Sequence, residues 1–153
     1  MQMAQKGKNG RTFAFGQELW YTRKKKRGEY LWRSVRGTLK DLEAIAAVET
    51  ACFPAAEAAT AEEFAGRLQQ YGDHFWLLWE GERLLAFVDG FCTDWPDLTD
   101  EMYADASLHR ENGAWQMIFG VNTIPACRRQ GYAGQLLQQA IADARAQGRK
   151  GLV

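Results

Sequence analysis

The sequence predicts a mixed α/β domain over residues 31–153, with a central sheet flanked by helices, preceded by a basic tail over residues 1–30. Three observations carry this. Short apolar runs of strand composition alternate with stretches of helical period, and two of those runs are separated only by a glycine-bearing turn. A third run leads through an arginine- and glycine-bearing turn into an amphipathic stretch. Strands and helices mixed in this way fit a layered α/β fold. No internal repeat is present.

The elements follow in order. Leu31 to Arg36 reads as a strand, and a helix opens at Thr38, where Thr38 and Asp41 form a capping-box pattern ahead of Leu42, Ile45 and Ala46. A second helix begins at Thr60 with Glu63 three residues on, and Phe64, Leu68 and Tyr71 fall on one side. Between them lies a Cys52-Phe53-Pro54 loop. Phe75 to Glu80 and Arg83 to Phe91 read as an antiparallel hairpin around Gly81. Ala114 to Ile124 has strand composition, and Leu136, Leu137, Ala140, Ile141 and Ala144 recur at helical spacing. Gly151 to Val153 reads as the start of a further strand.

The segment Arg128-Arg129-Gln130-Gly131-Tyr132-Ala133-Gly134 is chemically the most telling. A helix N-terminus offers N–H groups without intrahelical partners and the positive end of the dipole, so an anion is stabilised there. Gly131 carries no Cβ to hold a phosphate off the backbone, and Gly134 keeps the first turn open. The guanidiniums of Arg128 and Arg129 can fork onto phosphate oxygens. The bland alternative is a tight turn with solvated arginines. The pattern is neither a Walker loop nor a dinucleotide fingerprint.

Composition narrows the remaining classes. No apolar run is long enough to span a membrane and no signal-like segment opens the chain, so a cytoplasmic location is expected. Cys52, Cys92 and Cys127 lack the paired spacing of a zinc site or disulfide framework, and no metal is expected. The net charge of zero conceals an asymmetry: residues 1–30 hold eight Lys/Arg against two Glu, leaving residues 31–153 acidic at −6. The tail, with Arg23-Lys24-Lys25-Lys26-Arg27 and weak periodicity, is expected to be disordered. Such a tail could touch nucleic acid, but the acidic folded part argues against that partner.

Arg128-x-x-Gly131-x-Ala133 resembles the Arg/Gln-x-x-Gly-x-Gly/Ala motif of the GCN5-related N-acetyltransferases, the GNAT family, which binds acetyl-coenzyme A. Further short matches resemble the arylalkylamine (serotonin) N-acetyltransferase branch. They are Cys52-Phe53-Pro54 with Glu57-Ala58-Ala59-Thr60, then Phe87-Val88-Asp89-Gly90-Phe91, then Leu98-Thr99-Asp100-Glu101-Met102-Tyr103. The resemblance implies the acyl-CoA N-acyltransferase fold and direct transfer of acetyl from acetyl-CoA to a small-molecule primary amine within a ternary complex. It implies a bulged strand whose backbone at Val121, Asn122 and Thr123 pairs with the pantetheine arm. The pyrophosphate would then rest on Arg128, Arg129, Gln130, Gly131, Tyr132, Ala133 and Gly134.

Two departures from the family pattern matter. The animal members carry two histidines where this sequence has Met117 and Phe119, so this strand supplies no proton acceptor and the catalytic residues stay unassigned. His74 and His109 lie elsewhere, one at a strand start and one in a polar loop, and neither is nominated. Met117 and Phe119, with Phe53 and Pro54, are candidates for an apolar acceptor pocket, with plain core packing the alternative. The family fold also continues well beyond Val153, so the resemblance implies a chain missing its C-terminal part. An exposed sheet edge then leaves self-pairing into a homo-oligomer open. Between Cys92 and Gly113 stand Asp94, Asp97, Asp100, Glu101, Asp105 and Glu111 against one arginine, an acidic rim suited to a cationic amine, with Trp95 and Tyr103 for stacking. The alternative function is acetyl-CoA binding without catalysis, as a sensor or scaffold.

Overall fold

The computed structural model describes residues 31–153, with side chains from Ser34 onward, and three two-residue strands before them. Strands β1 (Gln5–Lys6) and β2 (Thr12–Phe13) pair antiparallel with each other. Strand β3 (Arg23–Lys24) pairs antiparallel with the start of β4 (Leu31–Arg36). The expected disorder of residues 1–30 otherwise lies outside the described residues.

After β4 the chain turns through one 3₁₀ turn into α1 (Leu42–Cys52), then α2 (Ala61–Tyr71). Both expected capping boxes form. The Thr38 N–H meets the Asp41 carboxylate at 2.9 Å, and in the second box the Thr60 and Glu63 N–H groups are exchanged at 2.8 and 3.1 Å. Strands β5 (Phe75–Glu80) and β6 (Arg83–Asp89) form the expected hairpin, with Gly81 at φ 59° in its turn. The remaining elements are β7 (Cys92–Thr93), α3 (Asp100–Ala104), β8 (Trp115–Gln116), β9 (Gly120–Thr123), α4 (Tyr132–Ala146) and β10 (Gly151–Leu152).

One sheet runs β3-β4-β5-β6-β9, wholly antiparallel, and a second runs β10-β8-β7 with β10 parallel to β8. The larger sheet is covered on both faces, which is why β5 and β6 read as nearly continuous apolar runs. Phe75, Leu77, Trp79 and Phe87 pack under α1 and α2 against Ile45, Val48, Phe64, Leu68 and Tyr71. Trp76, Leu78, Leu85 and Val88 pack on the opposite side against Tyr132, Leu136 and Ala140 of α4. Each such buried large side chain contributes about 1.5–3 kcal/mol. The buried Trp76 indole donates to Asp143 on α4 at 2.7 Å, and Arg36 reaches the same carboxylate at 2.8 Å, which fixes the helix on the sheet.

Two expected strands are interrupted for one shared reason. The run from Arg83 ends as strand at Asp89 rather than Phe91, and the run from Ala114 splits into β8 and β9 around 117–119. At Gly90 a Cβ would lie 1.8 Å from the Met117 carbonyl oxygen, so the two backbones meet more closely than any side-chain-bearing residue allows. Two short elements in the acidic loop, α3 and a 3₁₀ turn over Ala106–Leu108, had no periodic signal. Among the described residues no helix is long and apolar enough to cross a membrane.

Candidate active site

The turn before α4 has the expected form. Arg129 at φ 64° and Gly131 at φ 80° both adopt the left-handed conformation. Gly131 is the N-cap of α4 and supplies no side-chain cap, and the first bond into the helix runs from Gln135 N–H to the Gly131 carbonyl at 3.0 Å. Above both Gly131 and Gly134 the position of a Cβ is open for 4 Å. No side chain of Gly131 or Gly134 therefore stands over the first turn of α4, which follows directly on Arg128 and Arg129.

Among the described residues strand β9 forms the edge of its sheet, pairing with β6 on one side only. Ile124 donates to Leu85 at 2.9 Å, and Asn122 stands in register with Phe87. Main-chain groups alternate along a strand, so those of Asn122 turn toward β6 while those of Val121 and Thr123 turn outward. The Thr123 carbonyl takes the Cys52 thiol at 3.3 Å and the Arg128 Nε at 3.4 Å.

The irregularity expected near Asn122 lies just upstream. Asp89 pairs with Gly120, yet its carbonyl also receives the Phe119 N–H at 2.7 Å, so two residues of one strand oppose a single residue of the other. That is a β-bulge at Phe119–Gly120. Asn122 itself is regular and buried, and its amide donates to Glu49 at 2.9 Å. Its side chain, tied to a carboxylate, explains a poor strand former at this position.

A cleft of about 540 Å³ opens over the bulge. Phe119 and Gly120 form its floor, Phe53 and Ala56–Ala59 of the loop after α1 one wall, and Tyr103 and Ala104 another. Four carboxylates, Glu49, Glu57, Glu63 and Asp89, face a single cation, Arg67. Arg67 Nη1 pairs with Asp89 Oδ2 at 3.1 Å, its Nη2 donates to the Tyr103 carbonyl at 3.1 Å, and its guanidinium lies over the rings of Phe64 and Phe119. Burial pushes the Asp89 carboxyl up to about 6, against the pull of Arg67 and with help from Glu49.

Residues 41–152 match the Acetyltransferase (GNAT) family. The chain belongs to the GNAT acetyltransferase family. A search of curated protein sequences returns no match. Among solved structures the chain is similar to the GphF GNAT-like decarboxylase in complex with isobutyryl-CoA, at 26% identity and TM-score 0.67 over 74% of this chain and 59% of that one. It is similar to the loading GNATL domain of CurA from Lyngbya majuscula, at 21% identity and TM-score 0.66, over 73% and 57% of the two chains. It is also similar to an aminoglycoside N-acetyltransferase in complex with CoA, at 15% identity and TM-score 0.60, over 84% and 78%. The chain thus spans under three fifths of the length of the first two.

Within this GNAT domain the acceptor residues suggested by the sequence divide. Phe53 and Phe119 line the cleft, as does Tyr103, which tilts against Phe119 at 4.8 Å. Met117 does not: it has no exposed surface and belongs to the core, because the Gly90 contact draws its backbone inward. Pro54 is exposed and lies off the cleft lining; its carbonyl takes the N–H groups of Glu57 and Ala58 at 2.9 Å and so shapes the wall. Trp95 is 59% exposed and lines a different groove. The carboxylates of the cleft come from α1, α2, their connecting loop and β6, not from the acidic loop between Cys92 and Gly113. Sequence reading missed Glu49, Arg67 and Asp89 as a set. The one available signal was Asp89, the sole ionisable residue in the apolar run from Leu84 to Phe91.

The two histidines converge away from the cleft. Gln116 gives its Nε2 hydrogens to the carbonyls of Phe91 and Met117, at 3.2 and 2.9 Å, so its Oε1 faces His74 Nδ1 at 2.8 Å as an acceptor. His74 Nε2 faces the Glu111 carboxylate at 3.0 Å. His109 accepts the Cys92 N–H on Nδ1 at 3.0 Å and donates from Nε2 to Glu111 at 2.8 Å. The ligand atoms of His74, Cys92 and His109 lie within 4.8 Å of one another, but each ring nitrogen is committed to a hydrogen bond. Burial pushes the Cys92 thiol up to about 12. This cluster pins the acidic loop to the smaller sheet.

Proposed function

We propose that this chain is the core of an N-acetyltransferase that moves acetyl from acetyl-CoA to a small primary amine by direct attack. The observation that carries the reading is continuity: the strand edge at Val121–Thr123, open for a pantetheine arm, runs straight into the bulge that floors the acidic cleft. The pyrophosphate would rest on Arg128, Arg129 and the main chain through Gly134, where no Cβ stands in the way. Main-chain groups of Val121 and the N–H of Thr123 would pair with the arm as an added strand does, the Thr123 carbonyl being held by Cys52 and Arg128. Asn122 would serve through its buried amide, holding Glu49 in place.

The acceptor class follows from the lining. Carboxylates in excess attract a protonated amine, and the rings of Phe53, Tyr103 and Phe119 suit an aromatic or alkyl body beside it. An arylalkylamine, the substrate class of the branch that the short motifs resemble, meets both demands. The thioester supplies an activated acetyl group. The chain's own part is to align the amine over the bulge, exclude water with the Phe53 and Tyr103 walls, and receive a proton.

Calorimetric titration with acetyl-CoA, followed by thiol release with an amine panel, tests this reading. Saturable binding weakened by Arg129→Ala and by Gly131→Asp is expected, with acetylated amine as product. Binding without product on any amine would instead support a second reading, a thioester-binding domain that acylates no amine. That reading is favoured by the likeness to the GphF decarboxylase in complex with isobutyryl-CoA. No binding by a folded chain overturns both.

A further inference from the structure

Acylation of an amine releases a proton from the attacking nitrogen, and no side chain from Ala114 to Ile124 ionises near neutral pH. The cleft nonetheless holds four carboxylates, and their hydrogen bonds tell them apart. Glu57 and Glu63 stand at the exposed mouth, and a Glu63 oxygen already takes the Thr60 N–H at 2.8 Å. Glu49 is buried, with Oε1 on the Ala59 N–H at 3.1 Å and Oε2 on the Asn122 amide at 2.9 Å, so both oxygens are occupied.

Asp89 differs. Its Oδ2 is taken by Arg67, while Oδ1 receives no hydrogen bond from the described residues. Oδ1 lies over the bulge, 2.9 Å from where a Cβ on Gly120 would stand, and the same residue holds the Phe119 N–H through its carbonyl. A buried carboxylate with one oxygen anchored and the other turned toward the cleft floor is arranged to accept. We propose that Asp89 is the proton acceptor for the attacking amine, and that Arg67 is its positioning residue. This rests on the amine-transfer reading above.

The step balances without a further reagent. The ammonium gives one proton to Asp89 Oδ1, the neutral nitrogen forms a C–N bond at the thioester carbon, and the C–S bond breaks with its electron pair leaving on sulfur. The second N–H proton of the attacking nitrogen passes out through water as the amide forms, and the thiolate is protonated from solvent. The groups facing Asp89 are Arg67 and Tyr71 from α2 and Glu49 from α1, and β9 adds none that ionises. With burial holding its carboxyl at about 6, Asp89 is mostly ionised at neutral pH and still basic enough to take a proton.

The test compares two nucleophiles on the full chain with acetyl-CoA: an arylalkylamine, protonated at neutral pH, and an alkoxyamine of similar shape, whose nitrogen is already neutral. Asp89→Asn is expected to lower kcat on the arylalkylamine by about 10²–10⁴-fold and to spare the alkoxyamine, with acetyl-CoA affinity kept. The wild-type kcat profile on the arylalkylamine should rise through pH 6 and lose that limb in the variant. An equal loss on both nucleophiles, or an unchanged limb, overturns the assignment and leaves a structural ion pair. Should Asp89→Asn fail to fold, Asp89→Glu keeps a carboxylate, and a limb that does not move in it overturns the proposal equally. Wild type that binds acetyl-CoA yet acylates neither nucleophile overturns the amine-transfer reading itself.

Discussion

Gly131 and Gly90 are constrained in opposite ways. At Gly131 the space is open and the backbone is what matters: φ of 80° disfavours any residue with a Cβ by about 1–2 kcal/mol. Gly131→Ala should therefore lower the thermal midpoint modestly while weakening acetyl-CoA binding in a calorimetric titration. At Gly90 the conformation is ordinary and the space is filled. Gly90→Ala would press a methyl into the Met117 carbonyl and force β6 and the bulged strand apart. We expect that variant to lose more than 3 kcal/mol by urea denaturation, at about the level of a severe core substitution. Gly90 was legible in the sequence only as a glycine in a strand, because the atom it must avoid lies 27 residues on.

Helix α2 does two jobs with one set of residues. Its inward face, Phe64, Leu68 and Tyr71, was evident from spacing, and its start was evident from Thr60 and Glu63, because caps are local signals. Arg67 on the same helix was not, since its partner Asp89 is on another element and nothing local announces the pair. Replacing Arg67 by Met leaves Asp89 a buried carboxylate without its counter-charge. A loss of about 3–5 kcal/mol by chemical denaturation at pH 8 is expected, with a smaller loss at pH 5, where Asp89 can protonate. The acidic loop offers a second titrating tether. Burial raises the Glu111 carboxyl, but hydrogen bonds from His74 and His109 outweigh this and hold it below its ordinary value of 4.5, while burial lowers His109 below 6.5. A depressed carboxylate contributes stability that is present above pH 4.5 and lost as pH falls through its folded value. A depressed histidine likewise makes acidification below 6.5 unfavourable to the fold. Between pH 7 and pH 4 the raised Asp89 carboxyl favours the fold while Glu111 and His109 oppose it, so Glu111→Gln should gain urea midpoint relative to wild type as pH falls.

At the scale of the whole molecule, residues 31–153 carry a net charge of −6 and concentrate part of it in the cleft, while Arg128 and Arg129 stand at the other end of the bulged strand. On the proposed amine-transfer reading, two substrates of opposite charge would be drawn to opposite ends of this strand. Raising salt from 50 to 500 mM should increase the KM of a cationic amine several-fold and leave that of a neutral nucleophile nearly unchanged, a result steady-state kinetics can check. The layered architecture and the glycine turn into α4 were readable because both rest on periodicity and on residues adjacent in sequence. The cleft was not, because its carboxylates come from four stretches of chain that only the folded chain brings together.

The uncapped start of α4 has a further consequence, in the motion of single amide hydrogens. A first helical turn with no side-chain cap, entered through two left-handed residues, leaves its N–H groups open to solvent. In hydrogen–deuterium exchange the amides of Gln130, Gly131, Ala133 and Gly134 should therefore exchange among the fastest in the domain. Inorganic pyrophosphate should slow them without touching the cleft, so that the turn reports its anion before any acyl group is present.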